Sequence, residues 1–573
     1  MWSFQPDHYS CTFPCYWGED MKRASGRDTR RTAAQRSPER TRAAGIVPHA
    51  PLNARSREPL YEQLYRSYRE AIVDGRLIPG SRLASTRVLA GELGVSRFTV
   101  VNAIERLRAE GYLTARKGSG TFVNATLPDL AIRVRPRSRS TAAPQHLRAS
   151  PPRLSARGSA MSKVVITGPR PIVDEPRAFR PRRPPLDAFP YETWARLVRK
   201  QWGKFRHQLL DYGDPAGFMP LRRQIAQHVA TTRGVRCTAD QVIVTSGSQQ
   251  AFDILFRLLM DPGDAAWMED PGYLDVRGAL VGAGARIVPV RVDERGMDIE
   301  RGIAAARGAR LAVVSPSHQY PTGATLSAER RLELLDWAYA EGSWIVEDDY
   351  DSYFRYAGQP LSALQQLDVD RLARSGIHSS DGRVVYVGTF SKTLFPSLRI
   401  GFCVVPPSLV SSVANARAIA DRNSPIADQA VLAEFIASGQ YDRHLRRIRL
   451  ICAERYEAVC HYADRELRGR LRLQTAAAGT HVLGWLEDAR HDNARRMSTN
   501  TSLSLVGRIA KHATDAGLVL FRLSRYSLTS LKEDGLVLGY GGLSTKRIAA
   551  GMQVLAKAFD TAEHEHARLS SRS

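Results

Sequence analysis

Residues Gly388–Gly401 read GTFSKTLFPSLRIG. The apolar run Val384–Val387 before them reads as a strand, so Lys392 stands just past a strand end. Thr389 and Ser391 flank it with hydroxyls, and Arg399 follows on the next turn of chain. An amine, two hydroxyls and a guanidinium at one strand end suit a phosphate-bearing aldehyde. The lysine would take the carbonyl, and the hydroxyls and guanidinium would take the phosphate.

Pyridoxal phosphate is such a group, and its remaining needs are a carboxylate at the ring nitrogen, an aromatic on the ring face and further phosphate donors. Ile345–Glu347 reads as a strand running into Asp348-Asp349-Tyr350-Asp351. One buried acid of this run suits the ring nitrogen, and the Tyr350 phenol suits the ring hydroxyl. Thr245–Gln250, TSGSQQ, joins a strand to a helix, and the backbone N–H groups at Ser248 and Gln249 suit phosphate. Tyr273, in EDPGYLDVR, is the candidate stacking aromatic, and SPSHQYPTG at Ser315–Gly323 is a further strand-end loop. Gly282-Ala283-Gly284 precedes a strand instead of following one, which argues against a dinucleotide loop.

Outward from this core, strand-like runs alternate with helical patterns. The strands are expected at 241–245, 265–268, 286–290, 311–315, 344–347, 383–388 and 400–405, with helices such as 249–260 and 328–341 between them. That alternation predicts an α/β body with a mostly parallel sheet. After about Asn423 the pattern turns more helical, with strands near 481–486, 519–523 and 536–541. These fit a smaller C-terminal α+β subdomain. The expected boundaries are a basic disordered extension over 1–57, a head over 58–124, an Arg- and Pro-rich flexible linker over 125–186, the body over 187–562 and a tail over 563–573.

The head is mainly helical. Leu60, Leu64, Tyr68 and Ile72 make one helical stripe. Ser85 caps a second helix with Val88, Leu89 and Leu93 inward, and Gly94 ends it. Ser96 caps a third with Val100, Ile104 and Leu107 inward, which leaves Arg97, Thr99 and Asn102 outward. A tight helix–turn–helix lays its second helix in a major groove. Arg97 and Asn102 can then meet base edges or phosphates. Tyr112–Thr114 and Thr121–Val123 read as strands around a tip of Lys117, Gly118, Ser119 and Gly120, a β wing.

Composition agrees with a polyanion partner. Against 82 Lys and Arg stand 58 Asp and Glu, a formal net charge of +24. Part of that excess lies in the basic segments outside the folded units. Hydrophobic content of 43% and aromatic content of 8% are enough for sizeable cores. Six scattered cysteines show no disulfide framework, which fits a cytoplasmic protein. His8, Cys11 and Cys15 lack a fourth ligand nearby, so no metal is expected. No apolar run of about 18 residues predicts a membrane span, and the N-terminus does not read as a secretory signal.

The head, through LASTRVLAGELGVSRFTVVNAIERLRAEGYL and GSGTFV, closely resembles the winged helix-turn-helix of the GntR superfamily of bacterial repressors. That resemblance implies that Arg87, Arg97 and Gly118–Gly120 approach double-stranded operator DNA. The body, through YGDPAGFMPLR, TSGSQQAFD, EDPGY, SPSHQYPTG, EDDYDSYFRY and GTFSKTLFPSLRIG, resembles the fold type I aminotransferases. Joined in this order, the two are similar to regulators of the MocR/GabR type. The resemblance implies that Lys392 forms the Schiff base, that Asp348 pairs with the ring nitrogen and Tyr350 with the ring oxygen, and that homodimers exchange heads between chains. It implies a regulator sensing a small amine, an amino acid or a B6 vitamer. An active aminotransferase with an accessory DNA head, and a body serving only as a dimerisation scaffold, are the alternatives. One departure concerns the ligand. The GABA-sensing type has an arginine for its effector's carboxylate where this chain has glycine, within Leu538–Ser544 (LGYGGLS), with Arg522 or Arg525 as possible substitutes.

Overall fold

In the computed structural model the described residues are 52–56, 58–116, 118–127, 154–164, 179–204, 211–358, 361–376, 381–487 and 504–570. Expectations for Lys117, for the extension up to residue 51 and for linker residues 128–153 and 165–178 lie outside them. The chain divides into two units, Met1–Ala149 and Ser150–Ser573.

In the first unit, α1 (Leu60–Val73) is followed by α2 (Thr86–Leu93) and α3 (Arg97–Ala109). Ser85 Oγ accepts the Val88 N–H at 3.3 Å, and Ser96 Oγ accepts the Thr99 N–H at 3.1 Å. Both serines thus satisfy a backbone donor that the first helical turn leaves without a partner. Gly94, at φ 64°, ends α2 in the left-handed region. Leu64, Tyr68, Ile72, Leu89, Val100, Ile104 and Leu107 share one core. Val88, expected inward, is 48% exposed. Leu89 and Leu93, four apart, take the inner face of α2, and a residue one position away is turned about 100° from it. β1 (Leu113–Arg116) and β2 (Gly120–Val123) pair antiparallel, Leu113 opposite Val123 and Arg116 opposite Gly120.

The second unit is built on β3 (Val242–Thr245), β4 (Ala265–Asp270), β5 (Arg286–Asp293), β6 (Gly296–Met297), β7 (Leu311–Val314), β8 (Trp344–Asp349), β9 (Val384–Thr389) and β10 (Gly401–Val404). Their order in the sheet is β3-β10-β9-β8-β7-β4-β5-β6. β5, β4, β7, β8 and β9 run parallel, and β10 runs antiparallel to both β9 and β3. Apolar residues of adjacent positions go to opposite faces. Val346 and Val385 pack with Phe252 and Leu255 of helix Ser248–Leu259. Ile345 and Val384 pack with Leu334 and Leu335 of helix Ala328–Glu341. Burial on both faces is why these strands are continuous apolar runs. β11 (Leu471–Leu473), β12 (His481–Leu486), β13 (Phe521–Arg522) and β14 (Gly535–Gly539) form a second, antiparallel sheet in the order β11-β12-β14-β13.

Two boundaries differ from the sequence expectation. Within the span expected as linker, Ala156–Ser162 is helical, and Phe179 is fully buried and pairs with Gly539 of β14. Phe179–Pro185 is therefore a strap of the second unit. One buried aromatic among Arg and Pro has no periodicity to announce it. At the other end, helix Thr545–Ser570 runs past residue 562, with Phe559 and Ala562 in the core around the second sheet.

Candidate cofactor site and nucleic-acid interface

The parallel strands deliver their C-terminal ends to one edge of the sheet, where open α/β folds bind ligands. Past β3, Gly247 at φ 86° turns the chain into helix Ser248–Leu259. β4 leads to Tyr273, β8 to Asp348 and Tyr350, and β9 to Thr389, Ser391 and Lys392. Ser248, Gln249, Tyr273, Asp348, Tyr350, Thr389, Ser391, Lys392 and Arg399 all line one cavity of about 420 Å³. The whole cofactor set expected from sequence thus converges.

At one end of the set, Arg399 adopts φ 51° and its Nη2 donates to the Ser246 carbonyl at 2.8 Å. A Cβ on Gly247 would stand 2.6 Å from that nitrogen, and one on Gly401 would stand 2.7 Å from the Gly247 carbonyl carbon. The two glycines let guanidinium, loop and helix N-terminus close into an anion cradle. Thr389 Oγ1 accepts the Ser391 N–H at 3.1 Å, and among the described residues Ser391 Oγ is buried without a partner.

The acids after β8 separate by their partners. Asp349 accepts from Arg233 Nε at 2.7 Å and from the Tyr386 hydroxyl at 2.6 Å. Asp351 lies 2.8 Å from His318 Nδ1. Asp348 Oδ1 is buried with no partner among the described residues. Burial, then the charges of Asp349, Glu269 and Asp351, push the Asp348 carboxyl up to about 8. Such an acid calls for a cationic N–H. The Tyr350 hydroxyl lies 3.2 Å from His318 Nδ1. Lys392 Nζ donates to the Arg182 carbonyl at 3.2 Å. Burial, then the Arg182 charge, hold its amine down to about 7, so a nucleophilic neutral amine is present near neutral pH. Unpartnered carboxylate and hydroxyl oxygens, a neutral amine and an anion cradle fit pyridoxal phosphate.

Sequence reasoning missed the arginines of the strap. Arg180, Arg182 and Arg183 line the same cavity. The Arg182 guanidinium lies 4.3 Å over the Tyr273 ring, donates to the Tyr273 hydroxyl and reaches Asp275 at 3.0 Å. Phe179 before RPRRPP is the one sequence cue, and it is weak. Arg522 and Arg525 do not substitute. Arg522 pairs with Asp534 at 2.9 Å, Arg525 covers the Phe521 ring at 4.9 Å, and neither lines the cavity.

On the first unit, Arg87 and Arg97 are exposed while Thr99 and Asn102 are half-buried. Ser96 and Thr99 bond to each other at 2.9 Å within the cap of α3. Phe98, not singled out in the sequence, is 74% exposed beside Arg97. At the wing tip Gly118 and Gly120 adopt φ 77° and 111°, and the Ser119 N–H donates to the Arg116 carbonyl at 2.9 Å. Among the described residues no helix is long and apolar enough to cross a membrane, and no cluster is suited to a metal ion.

Residues 60–123 match the family model for bacterial regulatory proteins of the gntR family, and residues 193–462 match that for aminotransferase class I and II. The chain is 38% identical to the probable rhizopine catabolism regulatory protein MocR of Rhizobium meliloti, over 87% of this chain and 94% of that protein. It is 31% identical to the pyridoxine biosynthesis transcriptional regulator PdxR of Corynebacterium glutamicum, over 72% of this chain and 80% of that one. The α-aminoadipate aminotransferase LysN of Thermus thermophilus, solved with N-(5'-phosphopyridoxyl)-L-leucine, is similar in structure. Its TM-score is 0.61 at 25% identity, over 71% of this chain and 98% of LysN.

Proposed function

This chain belongs to the MocR-type regulators, in which a gntR-family DNA-binding head precedes an aminotransferase-like body with pyridoxal 5'-phosphate as cofactor, and from that premise we propose that its body senses an amine, an amino acid or a B6 vitamer and passes the signal to the head as a change in DNA affinity. The observation that carries the sensing reading is the convergence on one cavity of Lys392 with Asp348 Oδ1 and Ser391 Oγ, both buried without a partner among the described residues.

When bound, the cofactor supplies an aldehyde for amines and an electron-withdrawing ring. The residues then divide the work of holding it. Lys392 offers the neutral amine for the aldehyde. Asp348 would hold a proton on the ring nitrogen, and its unpartnered Oδ1 would gain a cationic N–H. Tyr350 would offer its hydroxyl to the ring oxygen, and Tyr273 would stack on the ring. The N–H groups at Ser248 and Gln249, with Thr389, Ser391 and Arg399, bind the phosphate. On the head, Arg87, Arg97 and the 118–120 tip approach DNA, with Ser96, Thr99 and Asn102 at the groove end of α3. A homodimer exchanging heads would couple the two activities, since a ligand shifts an equilibrium only by binding one arrangement better than another.

The test is an absorption spectrum with pyridoxal phosphate, with Lys392→Ala as control, during titration with amines, followed by DNA affinity under the same conditions. A lysine-dependent band that one amine alters lastingly, together with altered DNA affinity, is the expected result. Unchanged affinity across all additions would sink the sensing reading. Because the full cofactor set is retained, a second reading is active transamination. Bleaching restored by a keto acid over repeated turnovers would establish it.

A further inference from the structure

We infer that the body recognises a carboxylate on its ligand through Arg183 of the strap, so that its effector is a short amino acid and not a simple amine. This inference rests on the ligand-sensing reading above.

Three arginines from one strap line the cavity, against two acids, Asp275 and Asp348. Arg182 is committed to Asp275 and to the Tyr273 hydroxyl. Arg183, half-buried on the same wall, has no ion pair or hydrogen bond from its side chain to a described residue. The phosphate donors Thr389, Ser391 and Arg399 belong to other elements, so Arg183 is not needed for the cofactor's phosphate. A half-buried arginine lining a cavity brings a planar fork of donors to it, the geometry that fits a carboxylate.

The seating of Arg183 is built into the fold. Glycines stand beneath the strap where β14 ends and the chain leaves it. A Cβ on Gly539 would lie 2.3 Å from the Arg180 carbonyl oxygen, and one on Gly541 would lie 2.6 Å from that of Arg183. A Cβ on Gly542 would lie 2.8 Å from Arg183 Cβ. The floor is therefore bare, and the cation comes from the strap above it. Lys392 Nζ is bonded to the carbonyl of the neighbouring strap residue, Arg182. An amine held at Lys392 and a carboxylate held by Arg183 would share one cavity of about 420 Å³, which suits a short amino acid.

The experiment titrates the cofactor-loaded full-length protein by absorbance. It uses L-alanine, β-alanine and γ-aminobutyrate, each paired with the amine left when its carboxylate is removed (ethylamine or propylamine). At least one amino acid is expected to bind roughly tenfold or more tighter than its amine partner. Arg183→Ala should abolish that preference while keeping the cofactor band, and Arg183→Lys should keep part of it. Gly542→Ala, which crowds Arg183, should weaken it, and Arg522→Ala should leave it unchanged. Equal binding of every pair, or a preference that survives Arg183→Ala, overturns the inference. A protein that forms no Lys392-dependent band overturns the sensing reading beneath it instead. Amines that bind without regard to carboxylate sink only the role of Arg183.

Discussion

Lys392 and Asp348 face one cavity with their ionisation displaced in opposite directions, and each displacement sets a pH dependence. Burial and Arg182 lower the lysine from 10.5 to about 7. Between those values the unfolded chain binds more protons than the folded chain, so this group's contribution to stability is lost as pH falls across that window. Cofactor uptake followed by absorbance should accelerate with rising pH and level off just above 7. In Arg182→Ala, which removes a repelling charge, the plateau should move to higher pH. An unmoved plateau would show that Arg182 does not act on the lysine. Asp348 is raised from 3.8 to about 8, so the folded chain binds more protons in that window and stability is lost as pH rises through it. Asp348→Asn cannot ionise. Without cofactor it should melt higher than the parent above pH 8, because the parent then carries a buried charge that the amide does not. With cofactor it should lose that advantage and release pyridoxal phosphate more readily. Thermal melting with and without the cofactor reads both. The sequence picks out Asp348 among three acids through its resemblance to a family. Its lack of a partner is a tertiary fact, because Arg233, Tyr386 and His318, which occupy the other two acids, come from distant parts of the chain.

Among the elements, those with a local signature were legible. Ser85, Gly94 and Ser96 mark the ends of α2 and α3 by side-chain chemistry that needs no distant partner. Ser96→Ala should cost about 1 kcal/mol in the head. Faster hydrogen exchange over Arg97–Ala109 in the full-length protein would register it, with α1 less affected. The β-branched runs Val242–Thr245 and Val384–Thr389 are equally plain, since a strand buried on both faces is apolar throughout. The strap was not legible. Its one apolar anchor, Phe179, sits among Arg and Pro, and its backbone is tied down by a bridge to Gly539, hundreds of residues along the chain. Val88 erred for a smaller reason, since in a helix as short as α2 two residues fill the inner face.

Across the whole molecule, a net charge of +24 favours a polyanion, and DNA affinity should fall with salt in proportion to the phosphates that Lys and Arg contact. The sensing reading adds that the ligand's effect on that affinity requires the cofactor lysine. In Lys392→Ala, DNA binding without ligand should persist while its response to the ligand disappears. Fluorescence anisotropy on operator DNA, at fixed salt, tests both halves, and a response that survives in the variant would place sensing elsewhere. The sequence by itself determined the order of the two units, the α/β class of the body and the cofactor, and it singled out Lys392, because these rest on periodicity, capping and short motifs that are contiguous in the chain. Only the tertiary structure decided which acid is left without a partner, that Arg182 covers Tyr273, and that Arg180 and Arg183 line the cavity while Arg522 and Arg525 do not. Those outcomes depend on which distant segments meet at the ends of the strands, and long-range packing, not local chemistry, sets that.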